Sequence, residues 1–499
     1  MSEPETPEET VAPRVARRAS IRPPHTVLRV LGHRYGVTGL VLLAVLALAG
    51  VAVLSRPSGA ARTAAPDRIA VRLAVVACPA QPGARISALT PSGPQRGGDA
   101  SVTWTDGGAP VGTMTATGVL WVRDLPKPGP ATTGSLTVHA TGPVAAGFEA
   151  EQATASKKGD DRGLAAVRCT EPGTDLWFLG PGPTAAKHLE LYLTDVDDQP
   201  ASVDLSALSD AGPLDTTDGR GTAVNPHSTR VVQIGASPEG LGSILSQATV
   251  LALHVHVTTG RVSAAVRVRV GAGRGVDWEP LTSAPATLVV VPGIPSGNGT
   301  RQLLVGVPGQ ADAKVKVEVL TAAGTFAPAG QSVLAAPGQT VTTLDLAGAL
   351  GGKAAAIRLT SDHPIVAGLQ VERDGDVAYG AAAPPIGSGG VVADNRPDSV
   401  VLLTAPDAAA SVRISYVSQQ GVAGGPQDVR VDSARTVEVR LAVLPSGAGI
   451  VITPLPGSGP VYAARLLTQD KMISLQPIPP APAFLTVPAV GDSLTSLIP

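Results

Sequence analysis

Two histidines spaced two residues apart are the first candidates for metal chemistry. His254 and His256 alternate with apolar residues, so both imidazoles project from one face of the predicted strand, a spacing that can bind a cation. A hairpin turn after this strand would place Arg267 and Arg269 beside them, and their positive charge opposes a bound metal. We therefore predict a solvated basic stripe here and assign no metal site.

A second candidate is the acidic segment TDVDDQP at 194–200, which sets Asp195, Asp197 and Asp198 between two apolar runs. The spacing resembles that of a calcium loop, but the segment lacks the sixth-position glycine and the final glutamate of an EF-hand. We predict an aspartate-rich turn, with calcium bridging between modules as the alternative.

The sequence contains few residues suited to nucleophilic or acid–base catalysis. The chain holds 8 histidines, and its sequence contains no GxSxG, HExxH or phosphate-binding loop. We predict a non-enzymatic protein with no catalytic residues and no cofactor, while a triad assembled from distant positions stays an open alternative. The tryptophans could line a glycan platform or fill the core, and core filling is favoured because aromatic residues are only 3% of the chain. They are Trp104, Trp121, Trp177 and Trp278.

Cys78 and Cys169 are the two cysteines of the chain. Each ends an apolar run, AVVAC or AAVRC, and each is followed within a few residues by Pro-Gly. An even pair in an oxidising compartment favours a disulfide, and neither neighbourhood supplies further metal ligands. We predict a bond that joins the starts of the first two modules, clamps their junction and leaves the later modules free to flex.

An apolar run near the N-terminus predicts where the protein resides. Residues 37–54, VTGLVLLAVLALAGVAVL, carry no charge and are long enough to cross a hydrocarbon core of about 30 Å as a helix. An arginine-rich stretch precedes the run, so the positive-inside rule keeps the N-terminus in the cytoplasm and sends the bulk of the chain outward. We predict an uncleaved single-pass anchor in the cell membrane; a signal peptide cleaved near Ser58-Gly59-Ala60 is the alternative.

Composition excludes some classes of partner. Charged residues make up 16% of the chain and the net charge is -2, so the basic footprint of a nucleic-acid-binding protein is missing. The 57 glycines and 46 prolines are spread along the chain without a collagen period, as expected for many short strands joined by tight turns. The predicted partners are the membrane and envelope proteins or glycans.

A repeated motif predicts the elements that position these residues. It reads Pro or Arg, Val or Ile, any residue, Ala and a small residue, at intervals of roughly one hundred residues. It begins at Pro143, Arg261, Pro364 and Pro460. Around the second copy, 251–270, alternating apolar residues predict an antiparallel hairpin that pairs Thr259 with Val262 and turns one apolar face to a core. On that register Val255→Asp is expected to damage the fold more than His254→Asp.

The predicted fold class is all-β, with tandem immunoglobulin-like β-sandwich modules, arranged as a rod, behind one N-terminal transmembrane helix; a β-propeller is the alternative. The predicted parts are a disordered cytoplasmic arm at 1–36, the anchor at 37–54, a linker at 55–67, β-modules at 68–160, 161–282, 283–388 and 389–482, and an extended tail at 483–499.

Taken together, the arginine-rich arm, the single anchor, the two early cysteines and the Ala/Gly/Val-rich β repeats resemble a family of uncharacterised actinobacterial membrane-anchored proteins, described as a domain of unknown function. The resemblance extends over most of the chain after residue 65. That family has no established catalytic residues, so the resemblance implies none here. The predicted function is a cell-envelope scaffold or partner-binding protein, with a glycan-binding accessory module or an enzyme of envelope assembly as the alternative.

Overall fold

The computed structural model describes residues 25–54, 67–93, 97–126, 133–214, 216–422, 424–441 and 447–487. Helix α1 (His25–Leu54) begins inside the predicted arm, so residues 25–36 are helical rather than disordered. The remainder of the arm, 1–24, and residues 55–66 of the predicted linker lie outside the described residues. Within the described part of the chain, no helix combines the length and the apolar character that a membrane span requires.

The strands form one compact unit, Arg68–Val487, that contains four modules of the same design. We label the strand positions of each module a to h in chain order. One sheet has the order a-f-c-d and the other the order e-b-g-h, and their pairings are antiparallel. Inward side chains of both sheets make one apolar core, as in a β-sandwich.

Strand β1 (Asp67–Ala70) precedes the modules. In the first module, a to h are β2 (Leu73–Cys78), β3 (Arg85–Leu89), β4 (Ala100–Trp104), β5 (Gly112–Met114), β6 (Trp121–Asp124), β7 (Leu136–Thr141), β8 (Glu149–Ser156) and β9 (Gly163–Arg168). In the second they are β10 (Asp175–Pro181), β11 (His188–Asp195), β12 (Ala201–Ser209), β13 (Thr222–Val224), β14 (Ser228–Gln233), β15 (Val250–Thr259), β16 (Ser263–Arg269) and β17 (Val276–Glu279). Short 3₁₀ turns lie at Gly142–Ala145, Pro238–Gly240 and Gly242–Leu245.

In the third module, position d is two short strands, and f and g are one continuous strand. The strands are β18 (Ala286–Ile294), β19 (Thr300–Gly306), β20 (Ala313–Thr321), β21 (Thr325–Phe326), β22 (Val333–Ala336), β23 (Val341–Asp345), β24 (Ala355–Arg373) and β25 (Asp376–Ala381), with helix α2 (Ala347–Leu350) before β24. In the fourth module position d is again two short strands, β29 (Gly421–Val422) and β30 (Gln427–Val431). The other strands are β26 (Gly390–Asn395), β27 (Val400–Ala405), β28 (Ala410–Ser418), β31 (Arg435–Arg440), β32 (Ala448–Pro454), β33 (Tyr462–Gln469) and β34 (Met472–Pro477), and β35 (Phe484–Val487) follows.

The repeated sequence motif marks the crossing from strand f to strand g, so the predicted hairpin is wrong. In the second module β15 pairs with β10 and β12, whereas β16 pairs with β11 and β17 in the other sheet. Val262 does not pair with Thr259; it bridges to Gly173. Val255 and Val266 nevertheless point into the same core, because two strands that face each other across a sandwich show the same alternation as two strands of a hairpin.

Two predicted boundaries also differ from the structure. Strand β9 pairs with β8, so the first module extends to Arg168 and the predicted module 161–282 loses its first strand. In the predicted tail 483–499, β35 is not a free extended segment but pairs with β1. Residues 488–499 of that tail lie outside the described residues.

The modules close into a ring around their last strands, which corrects both the predicted rod and the propeller alternative. The h strands contact one another in the cycle β9, β17, β25, β34 and back to β9, and β9 also contacts β25 across the centre. Apolar side chains fill the joints, for example Leu164 against Leu467 where the first module meets the fourth. Each module is a two-sheet sandwich, whereas a propeller blade is a single sheet.

Candidate functional site

A disulfide bond joins Cys78 and Cys169, and their Cα atoms lie 4.3 Å apart. Cys78 ends β2 and Cys169 follows β9, so both belong to the first module rather than to the starts of two modules. Beside the bond, Ala77 and Thr170 exchange backbone hydrogen bonds at 2.9 and 3.0 Å. The Thr170 hydroxyl lies 2.6 Å from that of Ser263, so the fastened end of the first module directly contacts the second.

The acidic segment after β11 is an aspartate-rich turn. Asp195 is buried and its Oδ1 accepts the backbone N–H of Asp197 at 2.8 Å. Asp197 receives two hydrogen bonds from the guanidinium of Arg261, at 2.7 and 2.9 Å, and Asp198 lies 2.8 Å from His227. Among the described residues, no three side chains from His, Cys, Asp and Glu come together in an arrangement that could hold a metal.

The four tryptophans pack against protein rather than forming an exposed groove. Trp278 is 1% exposed and Trp177 is 6% exposed. Trp104 and Trp121 are partly buried against the core of the first module. This placement favours core filling over a glycan platform.

The prediction of a basic stripe around His254 is wrong, because the two predicted arginine neighbours do not lie beside it. Arg267 and Arg269 lie in the opposite sheet, where their guanidinium groups contact Asp161 at 3.2 and 2.8 Å. Their charge therefore does not act across the strand pair on His254. The cross-strand partners of that histidine come from β10 and β12 instead.

His254 is held by three side chains on the outer face of the a-f-c sheet. Its Nε2 lies 2.6 Å from Asp175 Oδ1, which also accepts a hydrogen bond from Trp177 Nε1 at 3.1 Å. The indole of Trp177 stacks on the imidazole with ring centroids 4.0 Å apart and planes inclined by 7°. On the other side, His254 Nδ1 lies 3.4 Å from the Oγ of Ser206, which is exposed.

These residues place an acid, an imidazole and a hydroxyl in order. A proton on Nε2 of His254 satisfies Asp175 and leaves the Nδ1 lone pair directed at Ser206. Burial lowers the pKa of His254 below its ordinary value of 6.5, although Asp175 opposes the shift. The imidazole is therefore neutral at pH 7 and can accept a proton.

A second group of polar residues lies where the h strands meet. Asp376, at the start of β25, is 1% exposed. Its Oδ2 accepts backbone hydrogen bonds from Ile473 of the fourth module at 2.8 Å and from Leu164 of the first at 3.4 Å. Burial raises the pKa of Asp376 to about 6. One carboxyl group thus ties together three modules.

Asp277 of β17 makes the corresponding contacts from the second module. Its Oδ1 accepts a hydrogen bond from the hydroxyl of Ser474 at 2.9 Å and one from the backbone N–H of Ala166 at 3.2 Å. The side chain is fully buried, and burial raises its pKa well above the ordinary value of 3.8. Glu279 lies two residues further along β17, and burial alone raises its pKa to about 8.

The seam between the first and fourth modules contains a buried ion pair. Glu151 Oε2 of β8 accepts a hydrogen bond from Arg465 Nη2 of β33 at 2.8 Å, and these side chains are 0% and 1% exposed. The backbone N–H of Asp394 donates to the other oxygen of Glu151, and the carbonyl of Asp394 accepts from Arg465. These hydrogen bonds give both oxygens of Glu151 a partner, which a desolvated carboxylate needs.

A polar cavity of about 940 Å³ opens along the same seam, between the first and fourth modules. Its volume is in the range of small-molecule sites. Its charged lining residues are Arg85, Asp124, Asp394, Arg396, Asp398 and Asp470. The acidic majority of this lining suits a polar or cationic molecule better than an anion.

Sequence reasoning singled out His254 but not Asp175 or Ser206, and it missed the buried charges at the ring contacts. The sequence does contain a sign of these buried charges, because acidic residues alternate with apolar ones in FEAEQ at 148–152 and VDWE at 276–279. Alternation of that kind normally marks a strand with one wet face. Here the polar face meets another module.

The fold and these contacts define a class: an all-β protein of repeated sandwich modules closed around their last strands. Within that class, the chain belongs to a family of unknown function, DUF5719, whose family model matches residues 127–442. The match begins in the first module and ends in the fourth, so it spans the ring rather than one module. No match was found among curated proteins.

Proposed function

We propose that this protein is a single-pass, membrane-anchored scaffold of the cell envelope, which holds a closed ring of immunoglobulin-like modules outside the membrane for partner proteins. The observation that carries the proposal is the burial of all four h strands at the contacts between modules. Asp277 and Asp376 use their buried carboxyl groups to accept hydrogen bonds from other modules. Buried polar networks of this kind make a structure rigid. A rigid body presents surface residues at fixed separations, which lowers the entropy cost of binding a partner.

Two features of the sequence support the extracytoplasmic placement. The uncharged run 37–54 behind an arginine-rich stretch is typical of an anchor with its N-terminus inside. The disulfide between Cys78 and Cys169 is a bond that persists in oxidising compartments and is rare in the cytosol. Both features support the proposal that the ring lies on the outer side of the membrane.

Labelling with a membrane-impermeant maleimide tests this topology, because the native cysteines are paired and do not react. Lys158→Cys introduces a thiol at an exposed position of the first module, and Glu8→Cys introduces one in the arm. We expect intact cells to label Lys158→Cys alone, and permeabilised cells to label both. Labelling of Glu8→Cys in intact cells would contradict the proposed orientation.

Site-specific photo-crosslinking in the native envelope tests partner binding. Val333 and Val422 are apolar side chains that are 58% and 66% exposed, so a crosslinking residue is placed at each. Arg430, whose side chain is 74% exposed, is the matched polar position. We expect discrete crosslinked protein bands from at least one apolar position and not from Arg430. Crosslinks to lipid or solvent alone would count against a scaffold.

A further inference from the structure

We propose that Ser206 is a reactive nucleophile, that His254 is its general base and that Asp175 positions the base, so that the second module carries an acyl-transfer site. The inference goes beyond the scaffold proposal and does not depend on it. It rests on the order of the three groups, in which Asp175 lies 2.6 Å from His254 Nε2 and Ser206 lies 3.4 Å from His254 Nδ1.

Each group has a structural reason for its place. The residues come from three neighbouring strands, β10, β15 and β12, whose register sets Trp177 and Ser206 on either side of His254. The stacked indole of Trp177 fixes the plane of the imidazole, and its N–H holds the carboxylate of Asp175. A base oriented by a third group and directed at a hydroxyl is the arrangement that activates serine in hydrolases.

The chemistry that follows is the transfer of an acyl group from an ester. Ser206 Oγ attacks the carbonyl carbon while His254 Nδ1 takes the hydroxyl proton, and that proton passes to the departing alkoxide as the ester C–O bond breaks. Water then attacks the acyl carbon while His254 Nδ1 takes one of its protons, and that proton passes to Ser206 Oγ as the acyl–Oγ bond breaks, which releases the carboxylic acid and restores the serine hydroxyl. The net reaction is ester plus water to acid plus alcohol.

The surroundings of Ser206 indicate the kind of substrate. Ser206 is exposed and Asp175 is 56% exposed, so the hydroxyl lies on an open sheet face rather than at the bottom of a pocket. An open face suits an ester carried on an extended, polymer-like molecule, which needs no enclosing cavity. We infer a substrate class of acyl esters on such molecules.

A fluorophosphonate probe tests the nucleophile directly, since it phosphonylates an activated serine with loss of fluoride. The purified full-length protein is labelled and digested, and the modified peptide is identified by mass spectrometry. We expect the label on Ser206, and a loss of labelling by roughly 10²-fold in Ser206→Ala and in His254→Gln. Ser202→Ala is the matched control, because Ser202 lies on the same strand four residues earlier and faces Thr259 instead of a histidine.

The pH profile separates a catalytic role from a structural one. Labelling of the parent protein is expected to rise with pH as His254 loses its proton, with a midpoint below 6.5. Asp175→Asn removes the charge that holds the proton on the ring, so its midpoint is expected to fall further, whereas His254→Gln has no such step. Thermal melts establish which variants are folded.

Several results would overturn the proposal. One is labelling of the folded parent no greater than that of heat-denatured protein. Another is an unchanged level in folded Ser206→Ala or His254→Gln. If either variant fails to fold, the parent protein by itself provides the test. A label on any serine other than Ser206, or labelling that does not change with pH, would contradict the assignment of Ser206 as the nucleophile.

Discussion

Buried carboxyl groups near the joints between modules make the stability of the protein depend on pH. Glu279 is 5% exposed, and a Cβ at Gly180 would lie 2.0 Å from its Oε1, so the carboxyl reaches over the neighbouring backbone. Burial is the cause that raises its pKa to about 8. The group is thus protonated at neutral pH in the folded protein.

The pH dependence of Glu279 has a definite sign. Its pKa is about 8 in the folded protein against an ordinary value of 4.5, so between these values the folded state keeps a proton that the unfolded chain has released. Unfolding free energy therefore falls as pH rises through this window, by at most about 1.4 kcal/mol per pH unit. Glu279→Gln is expected to flatten that part of the stability curve, measured by urea unfolding from pH 5 to 8. Glu239→Gln, at an exposed position, should leave the slope as it is.

Core and surface positions on β15 should respond very differently to a charge. Val255 is fully buried, whereas His256, the next residue along the strand, points outward and is exposed. Val255→Asp buries an unpaired carboxylate and is expected to cost roughly 3–5 kcal/mol. His256→Asp sets a carboxylate opposite Asp175 and Asp204 on the neighbouring strands and should cost only about 1 kcal/mol. Equal melting temperatures for the two variants would show that the face assignment of β15 is wrong.

At the scale of elements, strand g of the first module and strand g of the fourth are joined by charge. Glu151 on β8 and Arg465 on β33 are 314 residues apart in sequence, yet they form a buried ion pair. Taking both charges out of water is costly, so such a pair defines where two elements meet more than it adds net stability. It marks the place where the first and last modules close the ring.

A double-mutant cycle tests the role of this pair. Arg465→Met alone leaves Glu151 buried without its partner and is expected to cost about 3–5 kcal/mol, as is Glu151→Leu alone. The double variant should recover most of that loss, because two apolar side chains can pack where the charges were. Arg413→Met, which breaks an exposed pair with Asp428, is the control and should cost less than about 1 kcal/mol. Additive losses in the double variant would contradict an interaction between Glu151 and Arg465.

At the scale of the whole molecule, closure makes the four modules depend on one another. The first module contacts both the second and the fourth through β9, and the exit of β9 is fastened by Cys169. A rod would let its distal modules unfold alone, since each end module would have a single neighbour. In the ring each module contacts at least two others.

Removal of the disulfide tests this dependence. The bond closes a loop across a sequence separation of 91, so Cys78→Ala with Cys169→Ala is expected to lower the unfolding free energy by about 4–5 kcal/mol. We expect calorimetry to show one transition, shifted to lower temperature. When β9 detaches, the other modules lose the contacts they make with it and unfold together with the first module. A separate early transition for the first module, with the others unchanged, would contradict the closed ring.

The sequence by itself determined the strand alternation, the number of modules and the cysteine pair, because these depend on local periodicity and on composition. The alternate apolar side chains from Leu251 to Val257 and from Val262 to Val270 indeed point into one core. Tertiary structure alone decided which strands pair, since an alternating strand looks the same whether it hydrogen-bonds its neighbour in sequence or faces it across a sandwich. It also decided that the outer faces carrying Asp277 and Glu151 are buried by other modules. A polar side chain in an alternating strand does not specify whether water or another module will satisfy it, so the ring and the approach of Asp175, His254 and Ser206 could be seen only in three dimensions.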